Sequence, residues 1–238
     1  MPGTIDDTAR EVSKAGGRGI AVRCDHSSDA DVDALFARIR SGHGRLDLLV
    51  NNVWGGYERS GGPLPRVPFW EQPLHQWDGM FTAGVRAHLT AGRLAVPLML
   101  GRERGLIVST TANLEPLPYL KNLFYDLAKN AVARMVWAMA QELREHGIAA
   151  VAVAPGFMRT ERVVEAFRRA GAAAALDGPG GPRETTTYLG RAIVALASDP
   201  RVIERSGQVV EVGTLAREYG FTDVSGAQPP PFRIPAAT

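Results

Sequence analysis

"RLDLLVNN" (residues 45–52) holds an unbroken apolar run, Leu48-Leu49-Val50, followed at once by two amides, Asn51 and Asn52. A strand with one wet face alternates apolar and polar residues. A strand covered on both faces does not, and this run predicts a parallel sheet between two layers of helices. Two adjacent amides are an unusual way to leave a buried strand, so the chain's chemistry is expected close by.

Working outward, "GIAVRCD" (19–25), "GLIVSTT" (105–111), "GIAAVAVAPG" (147–156) and "GQVVEVG" (207–213) read as further strands. Helical spacing marks 29–44, 74–100, 120–146 and 185–200, with Gly44 as a stop, and the opening stretch 1–19 also reads as a helix. The Gly/Pro-rich stretch 55–73 must be an irregular loop. Alternating strands and helices imply an α/β doubly wound, mostly parallel sheet. The expected organisation is one domain over 1–222 and an extended tail over 223–238. In such sheets ligands bind beyond the C-terminal strand ends. Those ends read "CDHSS" (24–28), "NNVWGG" (51–56), "STTAN" (109–113) and "APGFMRT" (154–160).

One further pair stands out. The chain has five tyrosines and only three lysines, and "FYDLAKN" (124–130) puts Tyr125 four residues before Lys129. Residues i and i+4 share a helix face. A free tyrosine ionises near pH 10, and an adjacent ammonium favours its phenolate, bringing proton transfer nearer neutrality.

Taken in order, Asp25, Asn51-Asn52-Val53-Trp54, Tyr125 with Lys129 and Pro155–Thr160 resemble the short-chain dehydrogenase/reductase family, a Rossmann-like fold, over nearly the whole chain. Residues 68–89 and 195–226 look like the branch typified by dehydrogenase/reductase SDR family member 1. The resemblance implies an NAD(P)-dependent oxidoreductase that interconverts a carbonyl and an alcohol. Tyr125 would be the acid/base, and Lys129 would support it and bond the nicotinamide ribose. Asp25 would accept from the adenine amino group, and Asn51, Asn52 and Val53 would line the adenosine. Pro155, Gly156, Met158 and Thr160 would hold the nicotinamide. The cofactor is NAD or NADP, undetermined between them. Trp54, Trp70 and Phe157 fall near the cleft and suit a small hydrophobic carbonyl or alcohol. A homodimer or homotetramer through helices 74–100 and 120–146 is the family habit.

Three departures qualify that reading. The family's catalytic serine falls on Ala112, and a shift of one residue would bring Thr111 into the role. Losing a preorganised donor costs roughly 2.7–4 kcal/mol of transition-state stabilisation. The family's helix asparagine falls on Gly84. The family's opening strand, glycine turn, helix and second strand have no counterpart in "MPGTIDDTAREVSKAGGRG" (1–19), so the sheet is expected to lack its first two strands and Met1 to lie inside a longer domain. These departures keep a non-redox lyase or isomerase, or a non-catalytic binding module, as the alternative reading.

Composition narrows the remaining classes. Charged residues are 22% and the net charge is +2, which gives no reason to propose nucleic acid or an anionic membrane as partner. No apolar run approaches bilayer length. The single Cys24 forbids an internal disulfide, and a cytoplasmic setting is expected. The five histidines lack metal-ligand spacing, so no metal site is expected.

Overall fold

The computed structural model describes residues 3–56, 67–112, 119, 121–178 and 183–233. Most of the expected 55–73 loop, Asn113 and the end of the tail lie outside the described residues. The elements are α1 (Ile5–Lys14), α2 (Asp29–His43), β1 (Leu48–Asn51), α3 (His75–Phe81), a π-helical turn (Thr82–Arg86), α4 (Ala87–Met99), β2 (Gly105–Thr110), α5 (Leu123–Leu143), β3 (Ile148–Ala154), α6 (Glu161–Arg169), α7 (Thr186–Ser198), β4 (Val209–Glu211) and α8 (Val212–Tyr219).

The four strands form one parallel sheet in the order β1-β2-β3-β4. Every residue of β2 and β3 is buried. Their side chains alternate between two cores, as a pleated strand requires. Leu106, Val108, Val151 and Val153 face α7 and α8, meeting Tyr188, Leu196 and Leu215. Ile107, Ile148, Ala150 and Ala152 face α2, α4 and α5, meeting Phe36, Met99 and Val136. The fold is therefore α/β and doubly wound, as the run at 48–50 predicts.

Local chemistry sets the helix ends. Thr4 and Asp7 form a reciprocal capping box on α1, and Ser28 accepts the Asp31 N–H at the start of α2. Gly44 closes α2 with φ 67°, a left-handed conformation that glycine adopts without a Cβ penalty.

Two strand expectations are corrected. Residues 19–25 form no strand, and Ile20 is 43% exposed. The segment has no ladder partner among the described residues, and an extended chain without one is not a strand. The last strand spans only 209–211, because Val212 already begins α8, where it is buried against the α7 side. The helix expected over 74–100 is interrupted by the π turn at 82–86. The tail to Arg233 is irregular and is tied down: Tyr188 Oη donates to the Pro229 carbonyl, and Arg233 pairs with Glu211.

Candidate active site

The parallel register aligns the strand ends, with Asn51 beside Ser109 and Ser109 beside Ala152. Around this edge the sequence-predicted residues fall into three groups.

The first group is Tyr125, Lys129, Thr111 and Trp54. Tyr125 stands in the first turn of α5, where Asn122 Oδ1 accepts its N–H at 3.1 Å. The buried Gln72 clamps the approach to that helix. Its amide donates to the carbonyls of Val67 and Lys121 at 3.1 Å each, and its oxygen accepts from the Leu123 N–H. Lys129 is only 8% exposed, and among the described residues no carboxylate pairs with it. Burial lowers its pKa to about 8. Its ammonium lies 4.0 Å from the centroid of the Trp54 ring, and Trp54 meets Tyr125 edge-on at 5.5 Å. The buried Thr111 hydroxyl donates to the Lys129 carbonyl at 2.7 Å, so its one proton is engaged with α5. The Thr110 hydroxyl donates to Asn52 Oδ1 at 2.8 Å, and Ala112 is half-buried.

The second group is the expected adenosine side. Asp25 is exposed, and its carboxylate accepts from the Ser27 N–H and hydroxyl, which holds its pKa below the usual range. Asn52 is exposed and held by Thr110. Asn51 is buried, and its amide reaches inward to the His88 carbonyl and Ser109 Oγ at 3.4 Å. The Val53 carbonyl is 3.1 Å from His88 Nε2. A carbonyl only accepts, so Nε2 carries the proton, and the buried Nδ1 has no partner among the described residues. Burial drives the His88 pKa down to about 4, so the ring stays neutral. In this structure Asn51 and His88 shape the turn. The Cys24 thiol is pushed up by burial and by the nearby Asp31 and Asp25, which disfavours the reactive thiolate.

The third group is the loop after β3. Thr160 caps α6 by accepting the Val163 N–H at 3.3 Å. Phe157 packs between Phe167 and Phe232, at 6.2 and 6.3 Å. Met158 bridges to Glu184, a residue that sequence reasoning missed. Glu184 is 3% exposed, and its carboxylate accepts the Gly156 N–H at 2.9 Å. Gly156 must lack a side chain, because a Cβ there would lie 2.4 Å from Glu184 Oε1 and 2.8 Å from Phe232 Cβ. Burial raises the Glu184 pKa to about 7, with Asp223 and Glu211 adding to the effect and the Gly156 N–H opposing it. The sequence signal available was only an acidic residue just before the Thr-rich start of a helix. Trp70 stands apart from these packed aromatics: it is 72% exposed and edge-on to Phe69.

A groove of about 640 Å³ opens at the other end of the strands, between Arg45, Arg102, Arg104 and Leu106, and contains none of these residues. Among the described residues no cluster of metal-ligating side chains occurs, and no helix is long and apolar enough to cross a membrane.

Comparison with known proteins agrees with the fold. The family model described as short chain dehydrogenase matches residues 2–170. The human protein named dehydrogenase/reductase SDR family member 1 is 33% identical over 94% of this chain and 72% of its own length. The cis-4-hydroxycyclohexanecarboxylate dehydrogenase of Sinomonas cyclohexanicum is 29% identical over 92% of this chain and 83% of its own. The crystal structure of a hydroxysteroid dehydrogenase from Escherichia coli superposes with a TM-score of 0.70, at 25% identity, over 87% of this chain and 80% of that one.

Proposed function

The chain belongs to the short-chain dehydrogenase family, a family of oxidoreductases, and from that premise we propose that it interconverts a carbonyl compound and an alcohol with NAD or NADP. The observation that carries the reading is the gathering of Tyr125 and Lys129, one turn apart on α5, around Trp54 at the edge where the strands end.

The donor set suits the two ends of a dinucleotide. Asp25 offers an exposed carboxylate to an adenine amino group, and Asn52, held by Thr110 at the end of β1, is also exposed. The Lys129 ammonium has donors for a ribose, and the Pro155–Thr160 loop, clamped by Glu184, is rigid enough to present its backbone to a nicotinamide. Among the described residues no glycine-rich turn opens a helix toward a pyrophosphate. The dinucleotide supplies the hydride. The chain's own part is proton transfer and placement. Tyr125 Oη carries the proton to or from the substrate oxygen, Lys129 favours the phenolate when that proton leaves, and Thr111 fixes the backbone of Lys129. Phe157, with its aromatic neighbours, offers an apolar wall to a small hydrophobic substrate. Leu89 on α4 and Leu127 and Trp137 on α5 are each more than 40% exposed, which supports pairing of two copies through these helices.

Tyr125→Phe is expected to abolish NAD(P)H-dependent carbonyl reduction while leaving cofactor affinity, read by nucleotide fluorescence, largely intact. Equal turnover by mutant and parent removes this reading. The engaged Thr111 hydroxyl and the bare Ala112 favour one other reading, a non-redox lyase or isomerase using Tyr125, which predicts no response to NADH or NADPH in the same titration.

A further inference from the structure

Gly84 and Gly56 leave room for one particular side chain. A Cβ on Gly84 would lie 2.6 Å from Cε3 and Cζ3 of Trp54, and a Cβ on Gly56 would lie 2.7 Å from its Cζ2. Gly84 is buried inside the π turn, a local widening that displaces the helix backbone. One turn earlier, Gly79 admits the Gly55 carbonyl, which would be 2.7 Å from a Cβ there. Two glycines of this helical stretch therefore receive the strand-end turn 54–56 and seat the indole. Seated there, the indole offers its face to the Lys129 ammonium at 4.0 Å and contacts the edge or face of Tyr125 at 5.5 Å and 80°. The ammonium lies nearer to the indole than to the Tyr125 ring, whose centroid is 5.7 Å away.

An ammonium buried this deeply without a carboxylate is costly, and the negative face of an indole is the side-chain surface best suited to relieve it. We propose that Trp54, lodged against the Gly84 π turn, is a positioning residue that holds the Lys129 ammonium beside Tyr125. Trp54 thus acts through Lys129 rather than on substrate. His88, which carries no charge, and Tyr125 are the titratable groups closest to this ammonium in the contacts described. The lowered pKa of Lys129 fits the arrangement: the indole compensates only part of the desolvation.

The inference deepens the oxidoreductase reading, yet its test needs neither cofactor nor substrate. The chain's three lysines, Lys14, Lys121 and Lys129, give three resolvable signals in protein labelled with ε-13C-lysine. Lys129 is assigned by the signal missing from Lys129→Met. In the parent its ε-methylene protons should resonate upfield of the other two, from the indole ring current. In Trp54→Leu that displacement should vanish and Lys129 should titrate at lower pH; Trp54→Phe should restore part of both. Gly84→Ala, which keeps the indole but obstructs its seat, should behave like Trp54→Leu. Turnover in Trp54→Leu should fall roughly tenfold. A parent Lys129 signal with no upfield displacement, or one that is unchanged in Trp54→Leu, overturns the proposal whatever the enzyme's activity. If the lysine signals respond as expected while Tyr125→Phe stays active, the seat stands and the proposed reaction falls.

Discussion

Two stretches of this chain begin alike, Gly-Ile-Ala at 19–21 and Gly-Ile-Ala at 147–149. The second becomes β3, paired with β2 on one side and β4 on the other, and Ile148 is fully buried. The first becomes an irregular extended segment with Ile20 43% exposed. Both open on the same three residues, and what separates those openings is their neighbours. A strand is a pairing, and β-propensity expresses itself only where the backbone finds a partner strand. β1 is intermediate. It pairs with β2 alone among the described residues, and its Val50 is 39% exposed although the sequence run reads as buried.

The sharpest test of that contrast is to truncate both isoleucines. Ile148→Ala should cost about 2–5 kcal/mol, as cavity-forming changes in closed cores do. Ile20→Ala should stay within about 0.5 kcal/mol. Urea unfolding of the two variants measures this, and equal losses would show that 19–25 is embedded in the same cooperative core.

Charge gives a smaller version of the same comparison. Asp25 ends the exposed segment and Glu184 sits buried against the loop after β3. Glu184 has its pKa raised from 4.5 to about 7, so between those values the folded chain keeps a proton that the unfolded chain releases. Its contribution to stability is complete below about pH 4.5, falls as pH rises and levels off above about 7, a span on the order of 3 kcal/mol. Glu184→Gln should flatten that part of the melting temperature–pH curve. Asp25, lowered by its Ser27 bonds, acts with the opposite sign and weakens the fold as pH falls. A parent curve that does not decline between pH 5 and 7 relative to Glu184→Gln would break the contrast.

The smallest effect concerns a single bond. Ser206 Oγ accepts the Ala150 N–H at 3.0 Å, completing the hydrogen bonding of β3 beyond the end of β4. Ser206→Ala should cost roughly 1–3 kcal/mol by leaving that buried N–H without a partner. Faster amide exchange at Ala150, with little change at residues 19–25, would localise the effect to the paired part of the sheet.

Much of this architecture can be read from the residues. The stop at Gly44, the strands at β2 and β3 and the helical spacing of Tyr125 and Lys129 are local signals, and each has its expected local structure. What was not legible depends on contacts far apart in the chain. Glu184 gives no sign in sequence that it will meet Gly156, 28 residues away. Gln72 gives no sign that it will clamp 121–123. Trp54 reads equally well as a substrate contact, and only its distance to Lys129 and the bare Cα of Gly84 reveal what surrounds the indole.

The π turn at 82–86 also bears on how this segment tolerates insertions and deletions. A π turn accommodates one residue more than the α-helix on either side of it. Deleting Gly84 would leave a tidier helix, with α3 and α4 in one continuous phase. The faces of α3 and α4 would stay in register, because the π turn already absorbs the roughly 100° that one added residue contributes to a regular helix. With the bulge in place, Met80 and Gln76, buried on one side of the break, already share a face with His88, Ala91 and Ala95 on the other. The extra residue is thus a local offset that displaces the backbone without turning the buried face away from the core. It lets one length of helix serve two neighbours that do not lie on the same line, the α2–α5 core and the strand-end turn carrying Trp54.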